Sequence, residues 1–258
     1  MPHSTQPISA RFSQAARQYD QHAPLQKQVA YDLFHWANRQ LSAGYRPKSC
    51  LDIGSGTGFL TTHLLNHYPD TPTHAIDQAP GMLAELVRKH PTPRLTTQCL
   101  DGETLTPEQL NLPKPTLLMS SMCAQWFNTL EHALRNWLNL ADTLAFSILL
   151  NNSFEAWHTA HTQSKQPCGL HPLPSHTHIE GILQQFTQQG LVAHCNSHTH
   201  TYQEQHPNGL SFARSLRAIG ADTPQPNHRP ANLRPVLSRL KTGCTMNYHI
   251  GFYYVERP

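Results

Sequence analysis

The chain is short of charge. Only 14% of its 258 residues are Asp, Glu, Lys or Arg, and the formal net charge is +3. A disordered chain usually carries more charge, and a nucleic-acid-binding domain a stronger basic excess. No apolar run approaches the ~20 residues of a membrane span. No basic-then-apolar signal pattern opens the sequence, and none of the six cysteines forms a C-x-x-C pair. Reduced thiols and a cytoplasmic protein are therefore expected, rather than a disulfide framework.

His, Gln, Thr and Pro supply the polar surface instead. The 19 histidines raise a metal reading. His158/His161, His176/His178 and His198/His200 are pairs, but no cysteine or carboxylate completes a ligand set, so no metal is expected. Residues 201–258 hold seven basic side chains against three acidic ones. Such a tail suits a solvated face first and an acidic partner second.

Periodicity predicts one helix over residues 11–40, where Val29, Leu33, Phe34, Ala37 and Leu41 share a face. Strands are predicted at 49–53, 73–77, 95–100, 116–121, 144–150, 191–202 and 246–256. Helices are predicted at 59–68, 81–90, 130–140, 178–189 and 207–221. Strand–helix alternation implies a mostly parallel sheet with helices on both faces. Proline-rich residues 151–177 read as a lid-like insertion and 222–235 as a loop.

The sharpest local signal is Asp52-Ile53-Gly54-Ser55-Gly56-Thr57-Gly58, between a strand and a helix. Glycines there let the backbone come close to a ligand. A dinucleotide loop needs G-x-G-x-x-G, with pyrophosphate on the helix N-terminus. This one is G-x-G-x-G with a carboxylate just before it, which repels phosphate and suits a cationic ligand such as S-adenosylmethionine. Two more acids end the next strands: Asp77, followed by Gln78, and Asp101, followed by Gly102. Asp77 is placed to hold ribose hydroxyls and Asp101 an adenine amino group. Alone, each acid reads as a strand-end cap; together they mark one site at the strands' carboxyl ends.

These residues resemble the class I S-adenosylmethionine-dependent methyltransferases. The resemblance implies an α/β, seven-stranded, Rossmann-like sheet with the last strand reversed, plus a small helical cap. It also implies Asp52, Gly54, Ser55, Gly56, Gly58, Asp77, Gln78, Asp101 and Gly102 as the cofactor site. Four further stretches are similar to the malonyl-acyl-carrier-protein O-methyltransferases of biotin synthesis. They are Arg11–Asp20 with Ala23, Leu25 and Gln26; Ser120–Phe127; Phe212–Ala221; and Asn247–Gly251. Ser55 stands where many relatives have Cys, and Arg217 where the family often has Lys. The narrower resemblance implies methyl transfer to the free carboxylate of a malonyl thioester, on acyl carrier protein or coenzyme A, without nucleic acid or membrane. Tyr19, Gln125, Trp126 and Arg214 are the acceptor-side candidates, Arg214 to grip the carboxylate. One domain over 1–258 is expected, with helices in 11–45 covering the site and 151–177 and 206–245 as cap insertions. A methyltransferase with another small-molecule acceptor and a non-enzymatic binding module are the rival readings.

Overall fold

The structure is a computed structural model and describes residues 6–225 and 228–258. The chain opens with α1 (Gln6–His22) and α2 (Pro24–Gln40), then β1 (Ser49–Ile53), α3 (Phe59–His67), β2 (Thr73–Ile76), α4 (Pro80–Lys89) and β3 (Leu95–Gln98). A short α5 (Pro107–Leu110) leads to β4 (Thr116–Ser121), a 3-10 turn (Ala124–Trp126), α6 (Leu130–Leu140) and β5 (Thr143–Leu149). The second half runs α7 (Glu155–Gln163), α8 (His176–Gln188), β6 (His194–His206), α9 (Gly209–Ala218), α10 (Leu233–Arg239) and β7 (Cys244–Glu256).

The seven strands form one sheet in the order β3-β2-β1-β4-β5-β7-β6. β1 to β5 pair in parallel, and β7 runs antiparallel to both β5 and β6. The expected α/β sheet with its reversed last strand is what the chain builds. Alternate residues of β5 enter different cores: Ala145 and Leu149 on one face, Leu144, Phe146 and Ile148 on the other. A central strand buried on both faces needs such an apolar run. β6 is the sheet edge, and its His, Thr and Gln side chains leave it largely exposed.

Several expected boundaries are corrected. The helix over 11–40 is two helices, because Ala23 is non-helical (φ −118°, ψ 47°) and Pro24 starts the second. Proline lacks the N–H an inner turn needs but fits a first turn. The insertion at 151–177 contains α7. The loop at 222–235 ends in α10, whose Asn232 side chain accepts the Arg234 N–H as an N-cap. The two predicted insertions are tied together. Gln225 N donates to Gly169 O at 2.9 Å and its Nε2 to Cys168 O at 3.0 Å. Asn232 N donates to Gln166 Oε1 at 2.8 Å.

Candidate active site

The glycine loop crosses from β1 to α3 and is docked on the end of β2. Gly54 N and Ser55 N both donate to Ile76 O, at 2.8 and 3.0 Å. Gly54, Gly56 and Gly58 have φ of +69°, +54° and +96°, the left-handed region that a side chain resists. Asp77 fixes the middle of the loop: Oδ2 accepts Gly56 N at 2.8 Å, and Oδ1 accepts Ala79 N at 2.8 Å. Burial pushes the Asp77 carboxyl up, and these two backbone bonds pull it back. On β3's side, Asp101 Oδ1 accepts Glu103 N at 2.9 Å. Trp137 Nε1 pins Gly102 O at 2.7 Å.

A cleft opens at these strand ends. Gly54, Gly56, Asp77, Gln78, Asp101 and Gly102 lie on its wall. Asp52, Ser55 and Gly58 do not. Asp52 is fully buried beneath the turn, with Oδ2 accepting Thr61 Oγ1 at 2.5 Å and Oδ1 unpartnered. Ser55 is buried with its hydroxyl unpartnered. Gly58 is needed for packing, since a Cβ there would sit 2.3 Å from Leu86 Cδ1.

Helix α1 roofs the cleft with Ile8, Phe12 and Tyr19. It is latched by charge: Thr57 Oγ1 donates to Asp20 Oδ1 at 2.5 Å, and Lys89 Nζ to Asp20 Oδ2 at 2.7 Å. It also lies tight on α4, where a Cβ on Gly81 would be 2.6 Å from Ser13 O. A hydrogen bond to a charged group contributes roughly 1.5–3 kcal/mol. Thr57→Val should therefore speed hydrogen exchange across α1 about tenfold or more while the sheet keeps its protection. Unchanged exchange in α1 by mass spectrometry would show the latch to be idle.

A second cleft lies behind the first. Phe12, Tyr19, Met122 and Trp126 line both and form the partition. Phe12 and Trp126 meet edge-on at 5.7 Å, and Tyr19 is 5.9 Å from Phe59. The Tyr19 phenol is pushed up by burial, then by the Asp77 and Asp20 charges, so it stays protonated. The second cleft adds Gln125 and apolar Leu149, Phe154, Leu170 and Leu173. Gln125 Nε2 donates to Met122 O at 2.5 Å, leaving Oε1 buried and unpartnered.

Arg214 is exposed on α9 and lines neither cleft. Its neighbour Arg217 is paired with Asp222 at 2.9 Å. Their three-residue spacing indicated a shared helical face but not which way that face points. Met122 and Cys123 were missed. Met122 has φ +49°, a conformation that no sequence rule assigns to methionine. Among the described residues no His/Cys/Asp/Glu group could hold a metal ion, and no helix is long and apolar enough to cross a membrane.

A family model described as "Methyltransferase domain" matches residues 50–142, from β1 to the start of β5. The malonyl-[acyl-carrier protein] O-methyltransferase of Magnetococcus marinus is 30% identical, covering 83% of this chain and 81% of that protein. The enzyme of the same name from Priestia megaterium is 28% identical over 97% of each. The biotin biosynthesis bifunctional protein BioCD of Bordetella avium is 31% identical over 97% of this chain, which spans only 52% of that longer protein. Among solved structures, the plantazolicin methyltransferase BpumL in complex with SAH aligns over 98% of this chain and 96% of its own, with a TM-score of 0.56 and 13% identity. That likeness speaks for the fold alone. Fold, glycine loop and full-length similarity agree: the chain belongs to the malonyl-[acyl-carrier protein] O-methyltransferases, within the class I methyltransferases.

Proposed function

We propose that the chain transfers a methyl group from S-adenosylmethionine to the free carboxylate of a malonyl thioester on acyl carrier protein, giving the ester that enters biotin synthesis in the cytoplasm. The observation that carries this is the pair of clefts sharing one aromatic wall. The first cleft has the glycines and acids, and the second is apolar with few polar groups.

The donor fits the first cleft. Gly56 leaves its stretch of the wall open, since a Cβ there would meet nothing within 4 Å, while Gly54 and Gly102 let the backbone pack tightly on Cys123 and Ile53, where a Cβ would sit 2.3 Å from Cys123 Sγ and 2.5 Å from Ile53 Cγ2. Asp77 and Asp101 offer carboxylate oxygens to ribose hydroxyls and the adenine amino group, and Gln78 lies between them on the wall. Asp52, with its unpartnered oxygen, supplies negative charge from below. The donor brings a methyl carbon activated as part of a sulfonium.

The protein's own residues orient and dehydrate. The acceptor carboxylate has a pKa of about 4 and is already ionised, so no residue need remove a proton. Positioning can be worth roughly 7–11 kcal/mol of barrier. Trp126 and Phe12 fix the gap between the clefts, and the Tyr19 hydroxyl, kept protonated, donates a hydrogen bond toward the acceptor. The α1 roof, residues 170–173 and residues 221–223 exclude water.

The test is methyl transfer from labelled S-adenosylmethionine to carrier protein loaded with malonyl or with acetyl. Only the malonyl form should be methylated, and labelling of the acetyl form would overturn the carboxylate as acceptor. A malonyl-coenzyme A arm reports whether the carrier contributes.

A further inference from the structure

The second cleft would receive an anionic group, yet among the described residues no lysine or arginine lies on its wall. Besides Tyr19 and Trp126 on the partition, its polar atoms can be sorted by what they can still do. Tyr248 hydroxyl already donates to Glu204 Oε2 at 2.8 Å. Gln125 Nε2 has one of its two N–H groups on Met122 O, and its free Oε1 can only accept, which sets a repelling oxygen beside the remaining donor. Gln26 also faces an outer groove. Thr223 is different: its Oγ1 is buried without a partner and can donate. Leaving such a group unpaired is costly, and Thr223 lines the cleft, where a ligand can supply the partner.

The segment carrying Thr223 is held from the facing loop of the cover. His171 Nε2 lies 3.1 Å from Thr223 O. A carbonyl only accepts, so Nε2 carries the proton. The His171 ring stands edge-on to Trp126 at 5.3 Å, which places this contact at the partition between the clefts. Gln225, two residues on, is bonded to Gly169 and Cys168, so three bonds fix the loop.

We propose that the Thr223 hydroxyl selects the acceptor carboxylate, with His171 as the positioning residue that aims it. This rests on the function proposed above. The cleft then discriminates by a directed neutral donor in an apolar wall rather than by an arginine, and Arg214 is free of that task.

The experiment titrates malonyl-pantetheine and acetyl-pantetheine into the protein saturated with S-adenosylhomocysteine, by calorimetry. Wild type should prefer the malonyl arm. Thr223→Val, nearly isosteric, should lose roughly tenfold or more of malonyl affinity and little acetyl affinity, whereas Thr223→Ser should recover most of it. In turnover, Thr223→Val should raise KM and spare kcat. His171→Ala should reduce the same preference, and adding it to Thr223→Val should cost little more. His171→Asn, which can still donate to Thr223 O, should restore part. A malonyl preference unchanged in Thr223→Val, with wild type selective, overturns this inference alone. A wild type that shows no preference overturns the proposed function, and this inference with it.

Discussion

Gly54→Ala should weaken S-adenosylhomocysteine binding by about a hundredfold or more while the sheet still folds. Two costs coincide there. Its φ of +69° is strained for any residue with a Cβ, by roughly 1–2 kcal/mol. The new methyl would also lie 2.3 Å from Cys123 Sγ and 2.4 Å from Cys123 Cβ. Those atoms are close to the backbone of a buried wall and cannot swing aside, so the loop must move. Moving it shifts Gly56 N from the Asp77 carboxylate, which sets the cleft's shape. Gly44 is the control: it has φ +82° but open space around its Cβ, in the turn before β1. Gly44→Ala should carry the strain and leave ligand affinity as it was. Calorimetry decides, and a Gly54→Ala affinity within threefold of wild type would remove the close-approach argument.

The cofactor half of the site was legible in the sequence because it is local. A glycine loop after an apolar strand must lie at a strand's carboxyl end, and Asp77 and Asp101 follow β2 and β3, the next two strands on one side of it. What the pattern could not give was depth. Asp52, Ser55 and Gly58 belong to the same motif as Gly54 and Gly56, yet they are buried off the cleft wall. The acceptor half is assembled from distant segments: α1, the 3-10 turn, residues 170–173, α9 and residues 221–223. Tyr19, Gln125 and Trp126 were found by resemblance, and each lines the second cleft. Arg214 lies outside both clefts, because helical spacing fixes a face without fixing its direction. His171 and Thr223 carry no local motif; only the contact between two loop segments brings them together.

Asp52→Asn should remove the pH dependence that Asp52 imposes on the ligand-free protein. Burial outweighs the Thr61 hydrogen bond, Asp77 adds repulsion, and the carboxyl is pushed up to about 7. Its unfolded value is near 4. A group raised on folding lends its stability fully below the unfolded value and loses it as pH rises through the folded one. Wild type should therefore lose stability between about pH 4 and pH 7, and level off above. Asparagine, neutral throughout, should not. A shift of this size corresponds to a few kcal/mol, or on the order of 10 °C in Tm for a chain of this length. The difference between the two proteins isolates Asp52, since Asp77 titrates in both. S-adenosylhomocysteine then reports the function. Its amino group is a cation, and a cation above the loop favours the ionised carboxylate. Saturating ligand should flatten the wild-type pH dependence, and Asp52→Asn should bind it at least about tenfold more weakly at pH 8. Melting curves at pH 4.5 and pH 8, with and without ligand, give both answers. If ligand leaves the pH dependence intact, Asp52 does not sense the bound charge, and its role is confined to holding Thr61 and the start of α3.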